Sequence, residues 1–315
     1  MQRHGDWQAI AAGARGASVA MGNFDGVHLG HQAVIRAARD AAPGAPLGVV
    51  TFEPHPREFF ARHRGDAAQP AFRLMDADAR ASRLGKLGVA QLYELKFDAA
   101  LAAMSAEDFA REVLARGLGI SHVTVGADFE FGRGRSGNAA VLADLGRRFG
   151  FGVTVLPLLA ANATRVSSTA IRRLLSEGHP REAKELLGHW HRIEGPVIHG
   201  EKRGRELGYP TANMAVGGLH LPRLGVYAVK ADVLDGPQAG SYGGAASLGV
   251  RPMFGENTPN LETFLFDFSG DLYGKRLSVA FIDYLRPELK FDGLPALMAQ
   301  MEADCARARE ILSAS

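Results

Sequence analysis

Between residue 18 and about residue 151, short apolar runs alternate with longer amphipathic stretches. A run of four to six apolar residues bounded by turn residues fits a strand buried on both faces, whereas apolar residues returning every third or fourth position fit one face of a helix. This pattern predicts strands at 18–21, 47–52, 91–95, 122–125 and 152–156, and helices at 31–42, 76–87, 106–116 and 139–149. Their alternation predicts an α/β, Rossmann-like domain: a parallel sheet with helices on both faces. After about Ala183 the texture changes, and Gly and Pro punctuate short segments at 195–199, 225–231, 245–250, 261–268 and 276–284. Such spacing predicts an all-β second domain, a small antiparallel β-barrel. A terminal helix is expected at 294–311, with Pro295 in its first turn and Leu297, Met301 and Ala308 turned toward the barrel. The boundary is placed between residues 182 and 183, giving domains 1–182 and 183–315. The Ala-rich piece 99–103 reflects general composition, and there is no internal repeat or low-complexity tract.

A length of 315 residues suits two domains, since single cores stop growing at about 250–300 residues. Hydrophobic residues make up 46% and charged residues 22%, the balance of an ordinary globular chain, which excludes disorder. A formal net charge of +2 gives no reason to expect a nucleic-acid or membrane partner, although local Arg clusters can still meet small anions. With Cys305 as its one cysteine the chain can form no internal disulfide and no Cys-rich zinc site. Residues 1–7 lack the apolar core of a signal peptide, and no stretch approaches the roughly 18 apolar residues of a membrane span. The expectation is a soluble, cytoplasmic protein.

Two stretches carry phosphate chemistry. The strand at 18–21 ends in Gly22, and the following loop carries Asp25, Gly26 and His28 before a helix opens near Gly30. Strand, Gly-rich loop and helix start together make an anion site, because first-turn amides are unpaired and the helix dipole favours negative charge there by about 0.3–1 kcal/mol. That holds phosphate weakly on its own, but His28 and His31 lie three apart around the first turn, so both imidazoles can reach one phosphate. A zinc reading of the pair fails for want of a third ligand at useful spacing. Further on, Ser167, Ser168 or Thr169 can cap a helix running to Ser176, placing hydroxyls, amides and Arg172 around another part of a polyphosphate; a plain helix cap explains the same residues equally well. In the second half, Gly200, Lys202, Arg203, Gly204 and Arg205 form a cationic loop leading into Pro210, Thr211 and Asn213. Thr211 and Asn213 alternate about Ala212, so in an extended segment both supply hard oxygens to one side, as Mg²⁺ requires. Glu262 stands among apolar neighbours on an expected strand, where a carboxylate is costly without a polar task; catalysis and a structural salt bridge explain it equally.

The segment Gly-Asn-Phe-Asp-Gly-Val-His-Leu-Gly-His, residues 22–31, resembles the His-x-Gly-His nucleotidyltransferase superfamily. More narrowly, it resembles the FMN adenylyltransferase module of bacterial bifunctional riboflavin kinase/FAD synthetases. Thr-Phe-Glu-Pro-His-Pro at 51–56, Val-Gly-Ala-Asp-Phe-Glu-Phe-Gly-Arg-Gly-Arg-Ser-Gly-Asn at 125–138 and Arg-Val-Ser-Ser-Thr-Ala-Ile-Arg at 165–172 agree with that family. Gly-Arg-Glu-Leu-Gly-Tyr-Pro-Thr-Ala-Asn at 204–213 resembles its riboflavin kinase module, and the likeness continues through 225–227, 249–252, 261–263 and 271–275. The resemblance spans about residues 16–312. It implies that His28 and His31 stabilise a transferring α-phosphate, and that Arg165, Ser167, Ser168, Thr169 and Arg172 hold ATP phosphates. Gly22, Phe24, Asp25, Gly30 and Asp128 then line the nucleotide and flavin pocket, with Phe52 and His55 near the same cleft. In the second half it implies Glu262 as base, Thr211 and Asn213 as Mg²⁺ ligands, and Gly200 to Arg205, Pro210 and Arg251 as nucleotide or flavin contacts. The implied reactions use ATP to convert riboflavin to FMN and FMN to FAD, with no nucleic-acid or membrane partner. Phe264, Met253 and Ser247 depart from residues frequent in the family (His, Thr and Asn), and Trp190 and His191 from a Pro–aromatic pair; the first two bear on flavin contacts. Two rival readings are an adenylyltransferase for another phosphate-bearing substrate, such as phosphopantetheine or nicotinamide mononucleotide, and a non-catalytic flavin-binding regulator.

Overall fold

The computed structural model describes residues 1–65, 71–161, 164–200, 208–253 and 256–314. The chain forms two compact units, one from Met1–Gln69 and Ala77–Ser167, the other from Pro70–Asp76 and Ser168–Ser315.

In the first unit the strands are β1 (Gln2–His4), β2 (Ser18–Met21), β3 (Leu47–Glu53), β4 (Gln91–Lys96), β5 (His122–Gly126), two-residue strands β6 (Glu130–Phe131) and β7 (Gly137–Asn138), and β8 (Gly152–Leu156). Six of them make one sheet in the order β1-β4-β3-β2-β5-β8, every pairing parallel. All four residues of β2 are buried. Successive strand side chains point to opposite faces, so both faces of this strand are covered, as the unbroken apolar run required. The helices Leu29–Ala41, Ala77–Lys86 and Ala139–Phe149 fall where periodicity placed them, within two residues. The expected helix at 106–116 is a short α-helical start, Ala106–Asp108, followed by a π-helical segment, Phe109–Leu118, that ends at Gly119 with φ 57°. Several short elements were not anticipated, among them β6, β7, the helix Ala99–Ala103, where the Ala-rich piece was read as composition, and two that carry no periodic signal. One is β1, held to its neighbour by Arg3 donating to Glu94 at 2.6 Å. The other is the helix Pro56–His63, started by a proline at its first position and a His55 cap.

The second unit has β11 (Arg192–Pro196), β12 (Thr211–Ala215), β13 (Gly225–Val233), β14 (Gly240–Met253), β15 (Glu256–Leu265) and β16 (Arg276–Arg286), after a two-stranded ribbon in the first unit of β9 (Ala160–Ala161) and β10 (Thr164–Arg165). They pair antiparallel in the order β11-β16-β13-β14-β15-β12, and an Ile198–Asn213 bridge returns the chain after β11 to β12, so the sheet is a nearly closed barrel. The strand expected at 195–199 begins three residues earlier: Ile193 and Val197 enter the core, and Pro196, which has no N–H to donate, ends the regular ladder. Tyr227, Leu248, Leu261, Phe281 and Met214 fill the interior. The terminal helix Leu294–Ser313 buries Ala308 and Ile311 against Ala228, Ala245 and Ile282.

His191, at the entry to the barrel, is 2% exposed, and its Nε2 has no partner among the described residues. Burial, with His189 and His220 adding repulsion, pushes its pKa down to about 3. An unfolded imidazole takes its proton near pH 6.5, so the unfolded chain binds a proton that the folded chain refuses. This contribution to stability is complete above pH 6.5 and is lost at about 1.4 kcal/mol per pH unit as pH falls from there toward 3. Urea denaturation of the protein and of His191→Leu at pH 7 and pH 5 should show the protein losing stability relative to the variant by that slope below pH 6.5; parallel pH dependences would refute it.

Candidate active sites

In the first sheet the chain moves from β2 through β3 to β4 on one side and places β5 and β8 on the other. In such open parallel sheets the binding crevice lies outside the carboxyl ends of the strands where the order reverses, here β2 and β5. The loop leaving β2 is tightly wound: Phe24, Gly26 and Val27 have φ of 53°, 82° and 42°. Left-handed backbone at a bulky residue costs about 1–3 kcal/mol, so the loop must be held by its surroundings. Val27 N–H donates to the Phe24 carbonyl at 3.1 Å, the Gln32 amide to the Val27 carbonyl at 2.9 Å, and Thr51 Oγ1 to the Asn23 carbonyl at 3.2 Å. Phe24 and Asp25 are buried within it.

The loop delivers His28 as the N-cap of helix Leu29–Ala41, its Nδ1 accepting the His31 backbone N–H at 3.3 Å. In the neutral ring that bond leaves the proton on Nε2. His31 stacks on His28 with ring centroids 3.6 Å apart and planes 13° apart, and the Phe24 ring lies 5.0 Å from it, tilted by 45°. Desolvation, then the neighbouring His28, hold the His31 pKa well below 6.5. Its Nδ1 is buried without a hydrogen-bond partner among the described residues. Gly30 eases the arrangement, since a Cβ there would stand 3.2 Å from the His28 ring.

At the end of β5, Asp128 pairs with Arg165 at 2.5 Å. Gly22 continues β2, its N–H donating to the Val50 carbonyl. The expected phosphate segment 165–172 is divided between the units, Arg165 and Ser167 in the first, and Ser168, Thr169 and Arg172 on helix Ser168–Glu177 in the second. Arg172 donates to the Phe72 carbonyl at 3.2 Å and to Thr169 at 3.4 Å. His55 caps helix Pro56–His63 by accepting the Arg57 N–H at 3.1 Å, a structural task. Sequence reasoning missed an aromatic wall beside Phe52: Phe97 lies 5.7 Å from it, Phe109 6.3 Å, and Phe59 and Phe60 lie 5.3 and 5.8 Å from Phe97. Phe60 is 44% exposed, and the Phe59–Phe60 pair in an otherwise polar helix was the signal available.

In the barrel, β12 alternates as expected, Ala212 and Met214 joining the core while Thr211 and Asn213 take the other face. Register sets Asn213 opposite Glu262 and Thr211 opposite Phe264, with Ser247 opposite Glu262 on the far side. The Asn213 amide donates to the Thr211 carbonyl at 3.3 Å. Asn260, two residues before Glu262, donates to Asn213 Oδ1 at 2.9 Å and to Glu262 Oε1 at 3.3 Å; it was not anticipated because only register reveals its neighbours. Gly200 lies against this cluster, where a Cβ would come 2.6 Å from the Asn213 amide nitrogen. The cluster opens on a cavity of about 290 Å³ lined by Thr211, Ser247, Glu262 and Phe264 from the barrel and Leu297 and Met301 from the terminal helix. Of the departures from the family pattern, Phe264 and Ser247 are therefore cavity walls, and Phe264 also meets Tyr209 at 5.2 Å. Trp190 instead receives Lys184 over its ring at 4.1 Å. Pro210 is exposed just before β12, and Arg251 lies on β14 opposite Thr258. Lys202, Arg203, Gly204 and Arg205 lie outside the described residues.

A profile described as FAD synthetase matches residues 11–170, and one described as riboflavin kinase matches residues 187–312. The chain is 41% identical over 304 residues, 96% of it and 94% of the relative, to the bifunctional riboflavin kinase/FMN adenylyltransferase of Pseudomonas fluorescens. It is 36% identical over 297 residues, 94% and 92% of the two chains, to that of Escherichia coli K12. A crystal structure titled as a macrolide-efflux protein from Streptococcus pneumoniae superposes with a TM-score of 0.80 at 30% identity, covering 96% of each chain. Among the described residues of this chain no helix is long and apolar enough to cross a membrane.

Gly200→Ala forces the short, buried Asn213 side chain to turn, and calorimetry with Mg²⁺·ADP should show binding weakened at least about tenfold, equivalent to about 1.4 kcal/mol. Unchanged affinity would mean that the Asn213 amide has no part in nucleotide binding.

Proposed function

The chain belongs to the family of bifunctional riboflavin kinase/FMN adenylyltransferases, and from that premise we propose which residues carry each of its two reactions. The enzyme phosphorylates riboflavin to FMN and adenylylates FMN to FAD, using ATP in both steps. Residues 1–182 carry the second reaction and residues 183–315 the first. The observation that bears most weight is that each unit holds its own cluster of fixed polar groups, the stacked His28–His31 pair in one and the Thr211–Asn213–Glu262 cluster in the other.

In the kinase half, riboflavin enters the cavity between barrel and terminal helix, and Glu262 accepts the proton of its ribityl 5′-hydroxyl as the γ-phosphoryl group transfers. Thr211 and Asn213 offer neutral oxygens of the kind Mg²⁺ takes, and Asn213 Oδ1, accepting one hydrogen bond, keeps a lone pair for it. When bound there with ATP, Mg²⁺ neutralises phosphate charge. Gly200, Lys202, Arg203, Gly204, Arg205, Pro210 and Arg251 complete the nucleotide and flavin contacts.

In the adenylyltransferase half, the FMN phosphate attacks the ATP α-phosphorus in line and pyrophosphate leaves. His28, with its proton on Nε2, and His31 donate to the oxygens that accumulate charge, and the helix start beneath them adds its unpaired amides. A bound polyphosphate favours the charged imidazole, opposing the desolvation that keeps His31 neutral. Gly22, Phe24, Asp25 and Gly30 shape this loop; Asp128, Arg165 and Ser167 of the same unit hold the remaining phosphates and the flavin, whose planar ring suits the aromatic wall at Phe52 and Phe60. Neither reaction needs a covalent enzyme intermediate, since positioning and charge neutralisation suffice. A cytoplasmic setting without nucleic-acid or membrane partners accords with the single cysteine and the net charge of +2.

Removing one preorganised donor costs about 2.7–4 kcal/mol in comparable sites. His28→Ala should therefore slow FAD formation from FMN about 10²- to 10³-fold and leave FMN formation nearly intact, while Glu262→Ala should do the reverse. Separate assays of the two variants decide the assignment, and equal loss of both activities in either one would overturn it.

A further inference from the structure

We propose that Asn260 is a positioning residue of the kinase centre, its single amide group orienting the metal-facing Asn213 and the proton-accepting Glu262 at once. The inference rests on the reading of Thr211, Asn213 and Glu262 as the phosphoryl-transfer site. Asn260 and Glu262 lie two apart on β15 and so share a face, and Asn213 stands opposite Glu262 on β12, which leaves Asn260 on the diagonal between them. From there its Nδ2 donates to Asn213 Oδ1 at 2.9 Å and to Glu262 Oε1 at 3.3 Å.

The amide cannot serve the other way round, because a flip would set its carbonyl oxygen against two acceptors. Nor does packing account for it. Asn260 is 6% exposed, and its Oδ1 is buried with no partner among the described residues, a cost that an apolar side chain of similar shape would avoid. What the amide supplies is one donor group shared by two acceptors that must stay in register. Asn213 is clamped at both ends of its side-chain amide, by Asn260 at Oδ1 and by the Thr211 carbonyl at Nδ2. The carboxylate that takes the proton is tied to the same atom, so the spacing between metal-facing oxygen and base is fixed before substrate arrives. A displacement of about 1 Å at a reacting group can cost about 10²-fold in rate.

The test compares Asn260→Ala with Asn260→Asp in the full-length protein. Asp keeps the volume of Asn but turns the donor into an acceptor facing two oxygens. Positioning predicts that kcat for riboflavin phosphorylation falls about 10- to 100-fold in the Ala variant and at least as far in the Asp variant, with the riboflavin KM within about threefold. Affinity for Mg²⁺·ADP, measured by calorimetry without turnover, should fall in both. Adenylylation of supplied FMN should stay within about twofold, which shows that the first unit folds, and the preserved riboflavin KM shows the same of the barrel. A filling role would make Asn260→Asp the milder change; that order, or an Asp variant retaining more than half of the kinase kcat, overturns the proposal, as does a parallel loss of both activities. Asn213→Ala and Glu262→Ala, measured alongside, separate the two levels. If they spare the kinase, the site reading fails; if they abolish it while the Asn260 variants do not, only this inference fails.

Discussion

The polar groups proposed for the two reactions have positions set by the backbone before any phosphate arrives. Asn213 and Glu262 face one another because two antiparallel strands are in register, and His28 is oriented because its ring caps the helix that follows it. A donor or base that had to be ordered during the reaction would surrender much of its effect to reorganisation, whereas one fixed by a ladder or a cap acts at full strength. The cost of fixing them is visible in the fold. The loop before His28 carries left-handed backbone at Phe24 and Val27, and three hydrogen bonds from Gln32, Thr51 and Val27 itself hold it.

The two centres solve a similar electrostatic problem with different materials. The parallel sheet ends in helix starts, which supply amides and a favourable dipole, and the stacked His28–His31 pair stands at one of them. The barrel works by alternation instead: its strands place alternate side chains on one face, which sets Thr211 and Asn213 on the same side of β12. Glycine matters at one point in each. Gly30 leaves room for the His28 ring, which a Cβ would approach to 3.2 Å, and Gly200 for the Asn213 amide, which a Cβ would approach to 2.6 Å.

Much of this was legible in the chain because long buried elements announce themselves. The strands Ser18–Met21 and Gly152–Leu156 and the helix Ala139–Phe149 stand at the residues that periodicity gave them. What stayed hidden depends on contacts between distant residues. The edge strand Gln2–His4 is too short for a pattern and is held by Arg3 and Glu94, 91 positions apart. Asn260 reads as an ordinary strand residue until register brings Asn213 beside it, 47 positions away. The aromatic wall likewise gathers Phe52, Phe60 and Phe109 from three separate elements and Phe97 from the loop after β4. The serine-rich segment after Arg165 could be read as a helix start from its composition, yet its division between the two units could not.

The central claim is that two separate phosphate transfers occur on one chain, with FMN as product of one and substrate of the other. It is tested most directly by a time course with riboflavin, Mg²⁺ and ATP labelled either at the γ- or at the α-phosphate. The γ-label should enter FMN first, and FAD should follow carrying label from both positions, one phosphate from each ATP consumed. Riboflavin left unconverted, or FAD that carries α-label but no γ-label, would contradict it.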